Sequence, residues 1–130
     1  MEIELRRTQS NHLYTEGVLF IGGIKYTHTE EHTFTMPSPG VYTITRSNLR
    51  QFFGAGNSWR DALTENRIIL GDPVIPGVVI HSRHFLDRLH WRIKKCKHPV
   101  TLTITDDGCQ EVYHHYSVPT ILQAVTRICF

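Results

Sequence analysis

Arginines and aromatic residues surround a long polar stretch in the middle of the chain, and these residue types are suited to binding an anion. The residues concerned are Arg46, Arg50, Arg60, Arg67, Arg83 and Arg88, together with Phe52, Phe53 and Trp59. Guanidinium groups bind phosphate or carboxylate with paired hydrogen bonds, and aromatic rings stack on bases or sugars. If these side chains converge, they form a pocket for an anionic ligand. The alternative is a solvated arginine face with Trp59 covering the core.

The predicted ligand site lies between residues 57 and 83. Its residues are Asn57, Trp59, Arg60, Asp61, Arg67, His81 and Arg83. Ser82 is a good helix N-cap residue, and the amide groups of a helix N-terminus favour bound anions. We expect no cofactor at this site.

The spacing of the cysteines and histidines predicts neither a catalytic site nor a metal site. The three cysteines are odd in number and far apart, which argues against a disulfide framework and a Cys-x-x-Cys zinc site. We predict that Cys96 packs on the apolar face of a helix and that Cys109 is exposed after a turn. The pairs His28/His32 and His81/His84 have a spacing that can share a metal ion, but neither pair has a third ligand fixed nearby.

Composition predicts one globular domain. The 130 residues are 40% hydrophobic and 20% charged, with a net charge of +2 when histidine is neutral. So small a charge argues against nucleic acid as a partner. No stretch reaches the ~18 apolar residues of a membrane helix, and residues 1–7 lack the apolar run of a secretion signal. We therefore expect a cytoplasmic protein without a membrane partner.

Strand patterns dominate the first half of the chain. Met1 to Thr8 alternates apolar and polar residues, and Gly22-Gly23 between two β-forming runs predicts a tight hairpin. Val41 to Arg46 alternates again. Residues 47–66 have no clear period and are predicted to be a long loop, which is either functional or contains a short element.

The second half adds one helix. Short strands are predicted at 67–70 and 78–81, a helix from Ser82 to about Lys97, and a strand at 100–105. Residues 111–116 could pair with that strand, and residues from Pro119 onward fit a helix or a strand. The predicted fold is α+β: a mainly antiparallel sheet of six to eight strands, or a partly closed barrel, covered by the helix at about 82–97.

Five short motifs carry a family resemblance. They are Ile3-Glu4-Leu5-x-Arg7-Thr8, Gly17-x-Leu19 with Gly22-Gly23, Pro39-Gly40-x-Tyr42, Ser82-Arg83 with Phe85 to Leu89, and Val100-Thr101-Leu102-Thr103-Ile104. Their order resembles that of domain of unknown function family 5675, small proteins frequent in phages, prophages and gut Bacteroidales genomes. The resemblance covers about residues 1–106 and leaves 107–130 as a C-terminal extension of the single domain. It places the protein in the cytoplasm of a bacterial host.

The centre of that family is similar to the His/Cys site of L,D-transpeptidases, where a thiolate attacks a peptidoglycan stem peptide and a histidine shuttles protons. Gly56, Asn57 and Asp61 match the family pattern. Gly54 stands where the histidine belongs, and Arg67 stands where the cysteine belongs. The resemblance therefore implies a degenerate site without a nucleophile or a base.

We predict a non-catalytic, phage- or prophage-associated binding module that uses this degenerate groove to hold a small anionic ligand or a host protein. One alternative is a peptidoglycan-acting cysteine peptidase or transpeptidase with a relocated nucleophile. The other is a structural or assembly protein of a virion that forms a homo-oligomer through its C-terminal tail.

Overall fold

The structure, a computed structural model, describes residues 1–65 and 67–111, with the side chains of 63–65 left aside. The strands are β1 (Glu2–Ser10), β2 (Tyr14–Ile21), β3 (Ile24–His32), β4 (Gly40–Ile44), β5 (Phe53–Gly54), β6 (Ile68–Ile75), β7 (Val78–Ile80), β8 (Val100–Thr105) and β9 (Gln110–Glu111). The helices are α1 (Leu49–Phe52), α2 (Trp59–Glu65) and α3 (Ser82–Lys95).

One open sheet carries the fold. Its strand order is β4-β8-β1-β2-β3-β6-β5, with β7 paired to β6 and β9 paired to β1. Pairing is antiparallel except for β1 with β8, β1 with β9, and β5 with β6. The prediction of a mainly antiparallel α+β fold is confirmed, and the sheet does not close into a barrel.

The main core lies between one face of the sheet and α3. The alternation in β1 buries Ile3 and Leu5 on that face, and α3 contributes Leu86, Leu89 and Ile93. Burial of aliphatic side chains at this level stabilises a fold by ~1.5–3 kcal/mol each. The predicted hairpin is also confirmed, because Gly22 and Gly23 both have positive φ values at the turn between β2 and β3.

The start of α3 differs from the prediction. His81 is the N-cap residue, in the left-handed region at φ 61°, and Ser82 is the first helical residue. The Ser82 hydroxyl instead accepts a hydrogen bond from the Gly56 N–H at 3.1 Å. The Ser82 hydroxyl therefore binds the preceding loop and does not cap α3.

Of the two alternatives for 47–66, the structure shows the one with short elements, because this stretch contains α1, β5 and α2. Phe53 is fully buried in the main core. The Ser58 hydroxyl accepts a hydrogen bond from the Arg60 N–H at 3.3 Å at the start of α2. Each element is too short to show a clear period in the sequence.

Two boundaries also differ. Strand β6 continues to Ile75 rather than ending at Leu70, because its second half leaves the main sheet and pairs with β7. After β8, Glu111 pairs with Ser10 of β1 in parallel. The rest of the predicted 111–116 strand, and the predicted element from Pro119, lie outside the described residues.

Candidate functional site

The loop before α2 is fixed by Asp61. The Asp61 carboxylate accepts hydrogen bonds from the backbone N–H groups of Asn57 (2.6 Å) and Ser58 (3.1 Å). A Cβ atom at Gly56 would collide with the Asp61 side chain, so only glycine fits at this close approach. Asp61 therefore shapes the site, and Asn57 is presented on its exposed surface.

Trp59 covers the opposite face of the sheet from α3. Its ring stacks on Tyr14 with 6.2 Å between centroids and lies 5.9 Å from the ring of His32. The Arg60 guanidinium lies 5.5 Å from the Trp59 ring. A small second core of Ala62, Ile69 and Val79 joins α2 to β6 and β7. Trp59 is half-buried, so it both covers part of the sheet and leaves one side of its ring available to a ligand.

Arg67 packs against the backbone of Gly54. A Cβ atom at Gly54 would lie 2.9 Å from the Arg67 Cδ atom. The pairing of β5 with β6 brings these positions together, because Gly54 is opposite Ile69. The two positions that the resemblance assigns to histidine and cysteine are thus adjacent, and here they hold a glycine and a guanidinium group.

A cavity of about 490 Å³ at the N-terminal end of α3 is lined by Asp72, His81, His84 and Phe85. The His81 Nδ1 lies 3.2 Å from an Asp72 carboxylate oxygen, and both side chains are about half or more exposed. The His81 side chain makes no capping hydrogen bond, and the first turn of α3 has no acidic residue. The first amide groups of a helix have no acceptor within the helix and attract anions.

The predicted site residues are partly brought together. The hydrogen bond from Gly56 to Ser82 holds the loop with Asn57 beside the start of α3, where His81 and Arg83 lie. The Arg83 guanidinium is 3.6 Å from the Asp87 carboxylate and is well exposed.

The wider set of arginines does not form one cluster. Arg46 donates a hydrogen bond to the Lys94 carbonyl at the C-terminal end of α3, whereas Arg83 lies at the N-terminal end. Phe53 belongs to the core, and Phe52 packs against Tyr42.

Among the described residues, neither the Cys96 thiol nor the Cys109 thiol makes a hydrogen bond to an imidazole. The prediction that Cys96 packs against the core is confirmed, and its thiol donates to the His98 carbonyl at 3.4 Å. Cys109 is half-buried rather than exposed, beside Arg7 and Asp106 in a cavity of about 290 Å³. Burial, reinforced by the Asp106 carboxylate, raises the pKa of the Cys109 thiol. A thiol held protonated is a poor nucleophile.

Sequence reasoning missed a buried set of charges. The Arg7 guanidinium makes two 2.9 Å hydrogen bonds to the Glu31 carboxylate and a 3.2 Å bond to Asp106. Burial, together with the neighbouring Glu16 carboxylate, raises the pKa of Glu30 to about 9. The signal was present, because Arg7 occupies an inward position in the alternation that begins at Ile3 and Leu5.

Among residues 1–65 and 67–111, no group of three or more histidine, cysteine, aspartate or glutamate side chains could hold a metal ion. No helix in the same ranges has the length and apolar character needed to span a membrane. Comparisons with protein-family models, curated proteins and solved structures find no match for this chain. The resemblance drawn from the sequence motifs therefore stays a prediction.

Proposed function

We propose that this chain is a non-catalytic binding module, of phage or prophage origin, that holds a small anionic ligand at the N-terminal end of α3. The phage setting comes from the resemblance in the sequence. The observation that carries the proposal is the open cavity lined by His81 and His84 at the N-terminal end of α3, where the N-cap residue His81 makes no side-chain capping hydrogen bond.

The backbone around this cavity is arranged as expected for a site rather than a simple turn. His81 adopts a left-handed conformation, which few residues other than glycine adopt and which recurs at ligand sites. This conformation holds the imidazole over Asp72. A bound anion would compete with the Asp72 carboxylate for that imidazole.

The absence of catalysis is part of the proposal. An enzyme of the transpeptidase type needs a thiolate and an imidazole within hydrogen-bonding reach. Arg67 beside Gly54 supplies neither group, and the raised pKa of the Cys109 thiol works against a relocated nucleophile there.

Titration calorimetry with inorganic phosphate at low salt tests the proposal with two variants of opposite expected sign. Asp72→Asn should tighten binding about three- to tenfold because it removes a competing negative charge, and Arg83→Ala should weaken it by a similar factor. Arg6→Ala is the matched control, since it removes an exposed cation on β1, away from the cavity.

Phosphate affinity unchanged in both site variants, or no measurable binding by the wild type, would overturn the proposal. A loss of affinity in Asp72→Asn would point instead to a cationic ligand.

A further inference from the structure

The C-terminal half of α3 and the two residues that follow it are strongly basic. Residues 88–97 contain five lysine or arginine residues and no carboxylate, and all five are exposed. They are Arg88, Arg92, Lys94, Lys95 and Lys97, and together with Trp91 they are named the basic face. Within the described part of the chain, neither Arg88 nor Arg92 forms an ion pair, so their charges are not neutralised locally.

Trp91 lies at the centre of the basic face. It is 60% exposed, which is unusual for so large an apolar side chain. The Lys95 ammonium group lies 4.9 Å from the centroid of its ring. An open cavity of about 560 Å³ is lined by Arg88, Trp91, Arg92 and the carboxylate residue Asp87. A flat ring flanked by cations is therefore presented to solvent.

The positive field of this face reaches the side chains beneath it. Burial lowers the pKa of His90, and the charges of Arg50 and Lys94 lower it further. Arg46 adds another guanidinium at the end of the helix through its 3.0 Å hydrogen bond to the Lys94 carbonyl. The net charge of +2 for the whole chain thus conceals a much stronger local concentration of positive charge.

We propose that the basic face binds single-stranded nucleic acid, with phosphates on the arginines and lysines and a base stacked on Trp91. Proteins that bind single strands of any sequence use cationic side chains to contact the phosphates and exposed aromatic rings to stack on the bases. The sequence argument against nucleic acid used the net charge, which averages this face with an acidic sheet. The inference shares no residue with the phosphate site at the other end of α3 and does not depend on it.

The packing of α3 favours this occupant over an anionic membrane. A helix that lies on a bilayer inserts its apolar face. Here that face, with Leu86, Leu89 and Ile93, is buried against the sheet, so Trp91 alone remains for insertion. An acidic protein would be attracted by the cations but has no general requirement for an exposed ring between them.

The test is fluorescence anisotropy of a labelled 20-nucleotide oligothymidylate at several salt concentrations. Wild type should bind, with a slope of log affinity against log salt no steeper than about −3.5, as five neutralised phosphates predict. Trp91→Ala should weaken binding at least about fivefold through lost stacking. Arg88→Ala/Arg92→Ala should weaken it and reduce the slope, whereas the control Arg6→Ala/Lys25→Ala, with the same charge change away from α3, should leave the slope unchanged.

Three results would overturn the inference. The first is equal weakening by the α3 double variant and the control. The second is unchanged affinity in Trp91→Ala. The third is competition by poly-glutamate, or binding to phosphatidylserine vesicles, at least as strong as binding to the oligonucleotide. Asp72→Asn should leave oligonucleotide affinity unchanged, which separates this site from the phosphate site.

Discussion

The first three strands and the C-terminal half of α3 use charge in opposite ways. Residues 1–32 contain five carboxylates and three lysine or arginine residues, and Arg7, Glu30 and Glu31 in this region are no more than 2% exposed. The charged residues of the segment 88–97 are all lysines or arginines, and all of them are exposed. The buried charges are paired or protonated inside the fold, and the exposed ones face solvent.

The difference separates charges that the fold requires from charges available to a partner. A buried ion pair is costly to break, because the remaining charge has lost its hydration. An exposed charge on a helix contributes little to folding, so removing it leaves the fold intact. Variants of the buried charges in the sheet should therefore change stability, and variants on the basic face should change binding.

Removal of Arg7 should have the largest effect. Arg7→Met leaves the buried Glu31 carboxylate without its bidentate partner and should lower the free energy of unfolding by about 3–5 kcal/mol. Chemical denaturation measures this change. Arg6→Ala, one residue away on the exposed face, is the control and should leave the midpoint nearly unchanged. Arg7→Met/Glu31→Leu should recover most of the loss, and a double variant as unstable as the single one would contradict this reading.

Glu30 should make stability fall as pH rises. Its pKa is about 9 in the fold against 4.5 ordinarily, so between these values the native state holds a proton that the unfolded state releases. The contribution of Glu30 to stability is therefore fully present below about pH 4.5. It declines toward pH 9 by at most ~1.4 kcal/mol per pH unit.

Glutamine mimics the protonated carboxyl group, so Glu30→Gln should remove this decline. The variant should be more stable than wild type by on the order of 2–4 kcal/mol at pH 8 and nearly equal to it at pH 4. Urea denaturation at both pH values measures the difference, with Glu2→Gln as an exposed control. Equal pH dependence in wild type and Glu30→Gln would show that Glu30 is ionised in the fold.

Two threonines of β3 provide a matched pair of smaller effect. The Thr27 hydroxyl donates to the Gly71 carbonyl at 3.0 Å, whereas the buried Thr29 hydroxyl has no hydrogen-bond partner among the described residues. Thr29→Val should raise the free energy of unfolding by about 1 kcal/mol, and Thr27→Val should lower it by about as much. Thermal denaturation distinguishes the two signs, and the same sign for both would contradict the assignment.

The basic face should give the smallest change in stability. Arg88→Ala/Arg92→Ala should alter the free energy of unfolding by no more than about 0.5 kcal/mol, because both side chains are exposed and unpaired within the described residues. Chemical denaturation of the variant used for oligonucleotide binding measures this. A loss above ~1 kcal/mol would mean that these cations help to hold the fold, and the comparison between the two regions would fail.

Much of the fold could be predicted from local pattern. The period of two in β1, the paired glycines between β2 and β3, and the apolar face of α3 are all properties of neighbouring residues, which is why the sequence predicted them. The same alternation puts Arg7 on the inward face of β1, although its burial was not predicted. The short helix α2 was missed because seven residues give too few turns to establish a period.

The candidate site could be predicted only in part. Asn57, His81 and Arg83 were identified by residue type, and their segments meet through the hydrogen bond from Gly56 to Ser82. Asp72 and His84 were not assigned to the site, because Asp72 comes from β6 and reaches His81 only through the pairing of β6 with β7.

The sequence by itself determined which residues are apolar, which turns need glycine and where cations concentrate, since these follow from the chemistry of adjacent residues. The tertiary structure alone decided that Glu31 would meet Arg7, that Gly54 would lie against Arg67, and that β8 would pair in parallel with β1 across nearly a hundred residues. Such contacts depend on the order of strands in the sheet. That order is set by the free energy of the whole assembled core rather than by any local pattern.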